Sequence, residues 1–289
     1  MTDQAVGLRK WREDQSSVED RKDQVRTITI TSGKGGVGKS NVTVNLALAL
    51  AKLNKKALVL DADLGTANVD ILLGMDPPHK LHDVLYGKKL LTDIILEGPL
   101  GIHFIPGSSG LMDIASISEK EQQKFMNEFA QLKDRTDYLL IDTGAGLSKS
   151  VLGFMMASDE VILITTPEPT SIADAYSIAK TISRYQLHAS VHLIVNQAKG
   201  QGEGTQVAER FMKVAGKFLS LQINHIGTIV QDPLVARSVR EQRPFLINYP
   251  QAKASKGVLE TARRLNASGS SQKKAGFQGF LDTLARFFS

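Results

Sequence analysis

Three features of the sequence predict a doubly wound α/β domain, a mostly parallel sheet with helices on both faces. From residue 25 onward, short apolar runs alternate with helical patterns. Most of the runs are apolar throughout, as strands are when helices cover both sides. A glycine-rich turn joins the first run to the first helical pattern, and acids close two of the runs, where nucleotide sites form in open α/β sheets.

Each element has its own signal. Residues 26–32 alternate as a strand, and further strands are expected at 57–61, 102–105, 138–142, 160–165, 191–196 and 225–229. Apolar spacing near 3.6 places helices at 41–53, 119–132, 149–156, 172–185, 205–218, 234–240 and 256–265. Ser118 with Glu121 forms a capping box for the second of these. Residues 1–24 read as a polar arm, helical over 3–12 with Asp3 as N-cap. The α/β domain spans 25–265. Residues 266–275 are small and polar, hence a flexible linker, and 276–289 form an amphipathic terminal helix.

Bulk properties narrow the class. At 289 residues the chain is one large domain or two small ones, and 42% apolar content supports a real core. No apolar run nears the roughly 18 residues of a spanning helix. The first residues lack a signal-peptide core, so a cytoplasmic protein is expected. There is no cysteine, which excludes disulfides, zinc–thiolate sites and cysteine-ligated clusters. A net charge of +5 permits contact with nucleic acid or acidic lipid without requiring either.

The chemistry centres on Gly33-Lys34-Gly35-Gly36-Val37-Gly38-Lys39-Ser40, which fits G-x-x-x-x-G-K-[ST]. Backbone N–H groups of such a loop wrap phosphates, and the helix opening at Asn41 adds its partial positive charge. Lys39 is expected to reach the β- and γ-phosphates and the Ser40 hydroxyl to hold Mg²⁺, so ATP and Mg²⁺ are the expected cofactors. Asp142 closes an apolar strand and suits Mg²⁺ through a bound water, with Asp61 helping to hold the water shell. Gly144 and Gly146 then give the loop after Asp142 freedom to move as the γ-phosphate comes and goes. Asp61 and Asp63 lie two apart and face the same way in an extended segment. Asn196 ends a strand, and its amide can both donate to and accept from adenine.

Lys34 is surplus to an ordinary phosphate loop. With it, the run resembles the deviant Walker A motif of the MinD/ParA family of dimerising P-loop ATPases. The resemblance implies that Lys34 crosses to the partner's phosphates in an ATP-dependent homodimer. It also implies that Asp63, second in the D-x-D-x-G pattern, positions the attacking water. An aspartate beside Mg²⁺ and lysines is a weak base, so alignment suffices, with Lys34 and Lys39 neutralising the spreading charge. Asn196 matches the family's base-contacting asparagine, and Asp232 and Pro233 match a second base-facing loop.

At roughly 100° per residue, Phe277, Phe280, Leu281, Leu284, Phe287 and Phe288 fall within an arc of about 120°. Lys273 and Lys274 precede them, and an interfacial membrane helix is expected. One such helix binds marginally, whereas two on a dimer gain avidity. The expected location is therefore cytoplasmic and reversibly peripheral to the inner face of the cell membrane.

The arm reads Asp3-Gln4-Ala5-Val6-Gly7-Leu8-Arg9. It resembles the D-Q-A-x-x-L-R motif of the FlhG (FleN, YlxH) family, MinD-like regulators of flagellar number. That resemblance implies that Asp3, Gln4, Ala5, Leu8 and Arg9 engage the FlhF-type signal-recognition GTPase, and that some members restrain a flagellar transcription activator. Direct DNA binding is not expected. The alternatives are a MinD/ParA-type positioning or DNA-segregation ATPase, or a nucleotide-gated scaffold with negligible hydrolysis. MinD itself generally carries Asp-Ser-Pro-Ala-Gly where this chain has Asp142-Thr143-Gly144-Ala145-Gly146.

Overall fold

Eight strands form one sheet: β1 (Arg26–Ser32), β2 (Ala57–Ala62), β3 (Leu96–Glu97), β4 (His103–Ile105), β5 (Tyr138–Thr143), β6 (Glu160–Thr165), β7 (Ser190–Ala198) and β8 (Gln222–Val230). Their spatial order is β3-β4-β2-β5-β1-β6-β7-β8. All neighbours pair in parallel except β3, which runs antiparallel along β4 at one edge. The computed structural model describes residues 25–63, 68–107, 118–268 and 276–288. The expected arm, with Asp3, Gln4, Ala5, Leu8 and Arg9, lies outside the described residues, as do 269–275 of the linker and the side chain of Phe288.

Twelve helices are described: α1 (Lys39–Lys52), α2 (Val69–Leu73), α3 (Leu81–Leu85), α4 (Leu91–Ile94), α5 (Glu119–Ala130), α6 (Lys149–Ala157), α7 (Pro169–Arg184), α8 (Gln201–Phe218), α9 (Pro233–Arg240), α10 (Phe245–Asn248), α11 (Lys253–Ala267) and α12 (Gly276–Phe288). Alternation along β1 sets the layers. Ile28 and Ile30 enter the core beneath α1 and α11, together with Leu140 and Ile164. On the opposite face, Leu139 and Ile141 pack with α3 to α6 and α12, and Val161 and Leu163 pack with α6 to α8.

The chain lays β2 to β4 on one side of β1, returns to insert β5 between β2 and β1, and then adds β6 to β8 on the other side, so the winding reverses at β1. The carboxyl ends of β1, β5 and β2 therefore flank the crevice where such sheets take ligands. Every expected strand and helix of the domain is present, with shifted ends. The helix expected from 205 begins at Gln201, because Gly204 is a packing residue there and not a breaker. A Cβ on it would stand 2.2 Å from Thr228 Cγ2. Four short helices, α2 to α4 and α10, and the edge strand β3 carry too few residues for periodicity to reveal. The linker begins later than expected, since α11 runs to Ala267 and Asn266 Oδ1 accepts a bond from the Tyr138 hydroxyl.

The terminal helix expected at a membrane interface is packed against its own domain in this conformation. Phe277, Phe280, Leu281 and Leu284 are buried in the same core cluster as Leu139 and Phe154. Phe277 stacks on Phe129 at 5.8 Å, and Phe287 lies against Gly153 of α6. The arc of apolar side chains has found an apolar face of its own domain, which shields it from water as well as lipid would. In this conformation the stripe is not presented to a membrane.

Candidate active site

Strand β1 delivers the glycine-rich loop to the start of α1. Gly36 and Gly38 take φ of +79° and +87°, a region that side chains resist. Gly38 is also constrained by space, since a Cβ there would meet Asn196 Nδ2 at 2.4 Å. Asn196 in turn donates to the Val37 carbonyl at 2.7 Å, and Gln197 Nε2 reaches the Gly36 carbonyl at 3.4 Å. The end of β7 thus braces the loop from behind. The amide nitrogen expected to read adenine is, in this conformation, given to the loop itself.

Lys39 and Asp142 form a buried ion pair at 3.3 Å, with side chains 8% and 0% exposed. The Thr43 hydroxyl lies 3.1 Å from the same Asp142 Oδ1. Burial still raises the Asp142 pKa, against the opposing pull of Lys39, Ser40 and Thr43. Thr43 escaped the sequence reading, although it sits one helical turn past Lys39 and hence on the same face. Asp61 is the register partner of Asp142 across β2 and β5. Burial, and then the Asp142 charge, push its carboxyl up to about 7. It accepts bonds from the backbone N–H groups of Asp63 at 3.1 Å, Asn68 at 3.3 Å and Val69 at 3.4 Å. Asp61 therefore shapes the loop that carries Asp63, a task its position two residues upstream did not disclose.

Asp63 and the glycine loop meet. A Cβ on Gly144 would lie 3.5 Å from Asp63 Oδ1, and Asn68 Nδ2 donates to Asp63 Oδ2 at 3.4 Å. The loop is tied back to β1 by Gly146 N–H to the Ser32 carbonyl at 2.8 Å, with Gly146 at φ +84°. Lys34 points away from this cluster. Its ammonium bonds Glu168 at 2.8 Å and the Thr170 hydroxyl at 3.2 Å, both at the start of α7. Nothing in the sequence marked Glu168. Asp232 turns out to be the N-cap of α9, accepting from Leu234 N–H at 3.0 Å, and it also accepts from Lys253 N–H at 2.9 Å. Pro233 occupies the first turn of that helix.

The residues fit a divalent cation. Asp142 Oδ2 is buried without a hydrogen-bond partner, and every donor nearby is a hard oxygen. Among the described residues no cluster of three histidines or acids could hold a metal alone. Mg²⁺ needs none, because it keeps water and takes one or two carboxylates together with phosphate. Here Ser40, Asp142 and Asp61 would hold it, and it would supply neutralisation of phosphate charge.

This loop on this strand order defines a P-loop nucleotide hydrolase of the MinD/ParA fold. A family model described as an AAA domain matches residues 25–195. The MinD of Pyrococcus horikoshii, solved with Mg-ADP, superposes with a TM-score of 0.67 at 26% identity, covering 86% of this chain and all of that one. The antiactivator FleN of Pseudomonas aeruginosa is 39% identical over 84% of this chain and 87% of its own length. The flagellum site-determining protein YlxH of Helicobacter pylori is 35% identical over 93% and 92%. The chain belongs to the FlhG/FleN family of MinD-like ATPases and is an ATP-hydrolysing enzyme. No described helix is long and apolar enough to cross a membrane.

Proposed function

We propose that this chain is an ATP-dependent dimerising switch that regulates flagellar number and placement. One observation carries the reading: Lys34 stands outside its own phosphate cluster, held by exposed contacts with Glu168 and the Thr170 hydroxyl. An exposed ion pair is worth about 0–1 kcal/mol, so a partner's triphosphate outcompetes Glu168 readily. Lys34 would then neutralise the γ-phosphate of the opposite subunit while Lys39 serves its own. Asp63 orients the attacking water beside the Gly144–Gly146 loop, and Asp61 fixes the backbone that aims it. Asn196, Asp232 and Pro233 frame the base, the asparagine through its side-chain oxygen while its nitrogen holds Val37.

The packed terminal helix extends the switch. ATP-driven pairing would release Phe277, Phe280, Leu281, Leu284, Phe287 and Phe288 to anionic lipid, two helices per dimer. The arm residues Asp3, Gln4, Ala5, Leu8 and Arg9 would engage an FlhF-type GTPase. A flagellar transcription activator is a further partner on the analogy of the antiactivator relative. The deciding measurement is solution mass with ATP and with ADP, in an Asp63→Ala background that keeps ATP intact. A dimer with ATP, lost on Lys34→Ala, is the expected result. A chain that stays monomeric with ATP at high concentration overturns the reading.

A further inference from the structure

Beyond Lys39, helix α1 buries two further polar side chains, Thr43 and Asn45. A valine would fill the place of Thr43 with no hydroxyl to satisfy, so the buried hydroxyl needs a partner that repays it. Asn45 serves the frame: its oxygen accepts from Leu246 N–H at 2.9 Å and its nitrogen donates to the Asn41 carbonyl at 2.8 Å. Thr43 serves the site. Its hydroxyl lies 3.0 Å from the Lys39 carbonyl and 3.1 Å from Asp142 Oδ1. It has one proton to give, and the carbonyl already takes the helix's own N–H bond, so the carboxylate is the acceptor in greater need. Lys39 Nζ reaches the same Oδ1 at 3.3 Å. Both donors thus fall on one oxygen of Asp142, while Oδ2 is buried with none.

We infer that Thr43 is a positioning residue of the magnesium site: its hydroxyl holds Oδ1 of Asp142 and so reserves Oδ2 for the water shell of the cation. The inference rests on the assignment of Asp142 to that site. The last torsion of an aspartate side chain is broad and two-fold, so hydrogen bonds decide which oxygen faces which way. Two of the groups beside Asp142 have other work once nucleotide is bound, since the Lys39 ammonium goes to the β- and γ-phosphates and the Ser40 hydroxyl to the cation. Thr43 does not. It sits one helical turn further along α1, fully buried, and its hydroxyl stays beside Oδ1 when Lys39 turns to phosphate. Asp142 is itself 0% exposed, so bulk water does not replace a missing donor. Without the hydroxyl, Oδ1 of the loaded site loses its bond, and either oxygen can turn to the cation's water.

The test follows binding of a fluorescent ADP to the full chain as Mg²⁺ is titrated, in wild type, Thr43→Val, Thr43→Ser and Asp142→Asn; ADP keeps dimerisation out of the measurement. Thr43→Val should raise the Mg²⁺ concentration of half effect about tenfold, the size of one hydrogen bond to a carboxylate. Its ADP affinity in EDTA should match wild type. Thr43→Ser, which keeps the hydroxyl, should restore the magnesium response. A role confined to packing predicts the opposite order: serine, which leaves a methyl's space empty, does worse than valine, and ADP affinity falls with and without Mg²⁺. Should Thr43→Val fail to fold, Thr43→Ala supplies the same comparison. A magnesium requirement unchanged in the hydroxyl-free variant but raised in Asp142→Asn overturns the role of Thr43 alone. An Asp142→Asn chain that needs no more magnesium than wild type overturns the assignment of Asp142, and the inference with it.

Discussion

Replacing Gly153 by alanine sets two effects against each other. Glycine within a helix costs roughly 0.8–1 kcal/mol relative to alanine, so the change stabilises α6 locally. A Cβ at that point, however, meets Phe287 Cδ1 at 2.5 Å and Cγ at 3.2 Å. The ring must leave its seat, and with it the last turn of α12. A fully buried phenylalanine contributes about 1.5–3 kcal/mol. Phe287 is only partly buried, so roughly 1–1.5 kcal/mol of docking is lost, and the undocked helix becomes about tenfold more populated. The chain has no cysteine, so Leu284→Cys installs a single thiol at a site 3% exposed. Labelling of that thiol reports undocking. Gly153→Ala should speed it about tenfold while the melting temperature holds or falls slightly, because the helix gain nearly offsets the lost docking. In a Phe287→Ala background the same change should add nothing, because the clash is gone. Equal labelling rates with and without the alanine would refute the packing argument. A tail that labels fast in both would refute the docking itself.

Asp63→Ala should keep ATP affinity and lose turnover, measured as phosphate release beside equilibrium binding; unchanged hydrolysis removes Asp63 from the mechanism. Lys39→Met leaves Asp142 buried without its counter-ion and should cost about 3–5 kcal/mol in denaturant melts, partly restored by Asp142→Asn. The Asp61 carboxyl holds its proton more tightly in the native state, at about 7 against 3.8 for the unreacted side chain. Its protonation therefore contributes stability that is fully present below about 3.8 and lost as pH climbs through about 7. Without magnesium or nucleotide, wild type should lose melting temperature relative to Asp61→Asn between pH 5 and pH 8. Parallel profiles would show that burial does not raise this group.

Local chemistry was legible because its residues are consecutive. Gly33 to Ser40 dictate a loop and a helix start whatever surrounds them, and the apolar runs dictate strands covered on both sides. The acids were readable for the same reason, Asp61 and Asp63 at the end of one run and Asp142 at the end of another. What those groups touch was not readable. Asp142 meets Lys39 from 103 residues away, and Glu168 holds Lys34 from 134 residues away. Asn196 and Asp232 were read as base contacts, and the fold uses them as braces, because a side-chain amide or carboxylate pairs with whichever polar groups the fold brings near.

The terminal helix draws the boundary most clearly. The chain alone determined that residues 276–289 coil with one apolar face, since periodicity is written in neighbouring residues. Only the packed molecule decided what covers that face. Apolar attraction has no direction, so a stripe cannot distinguish lipid from the flank of α6 until the fold sets one of them beside it.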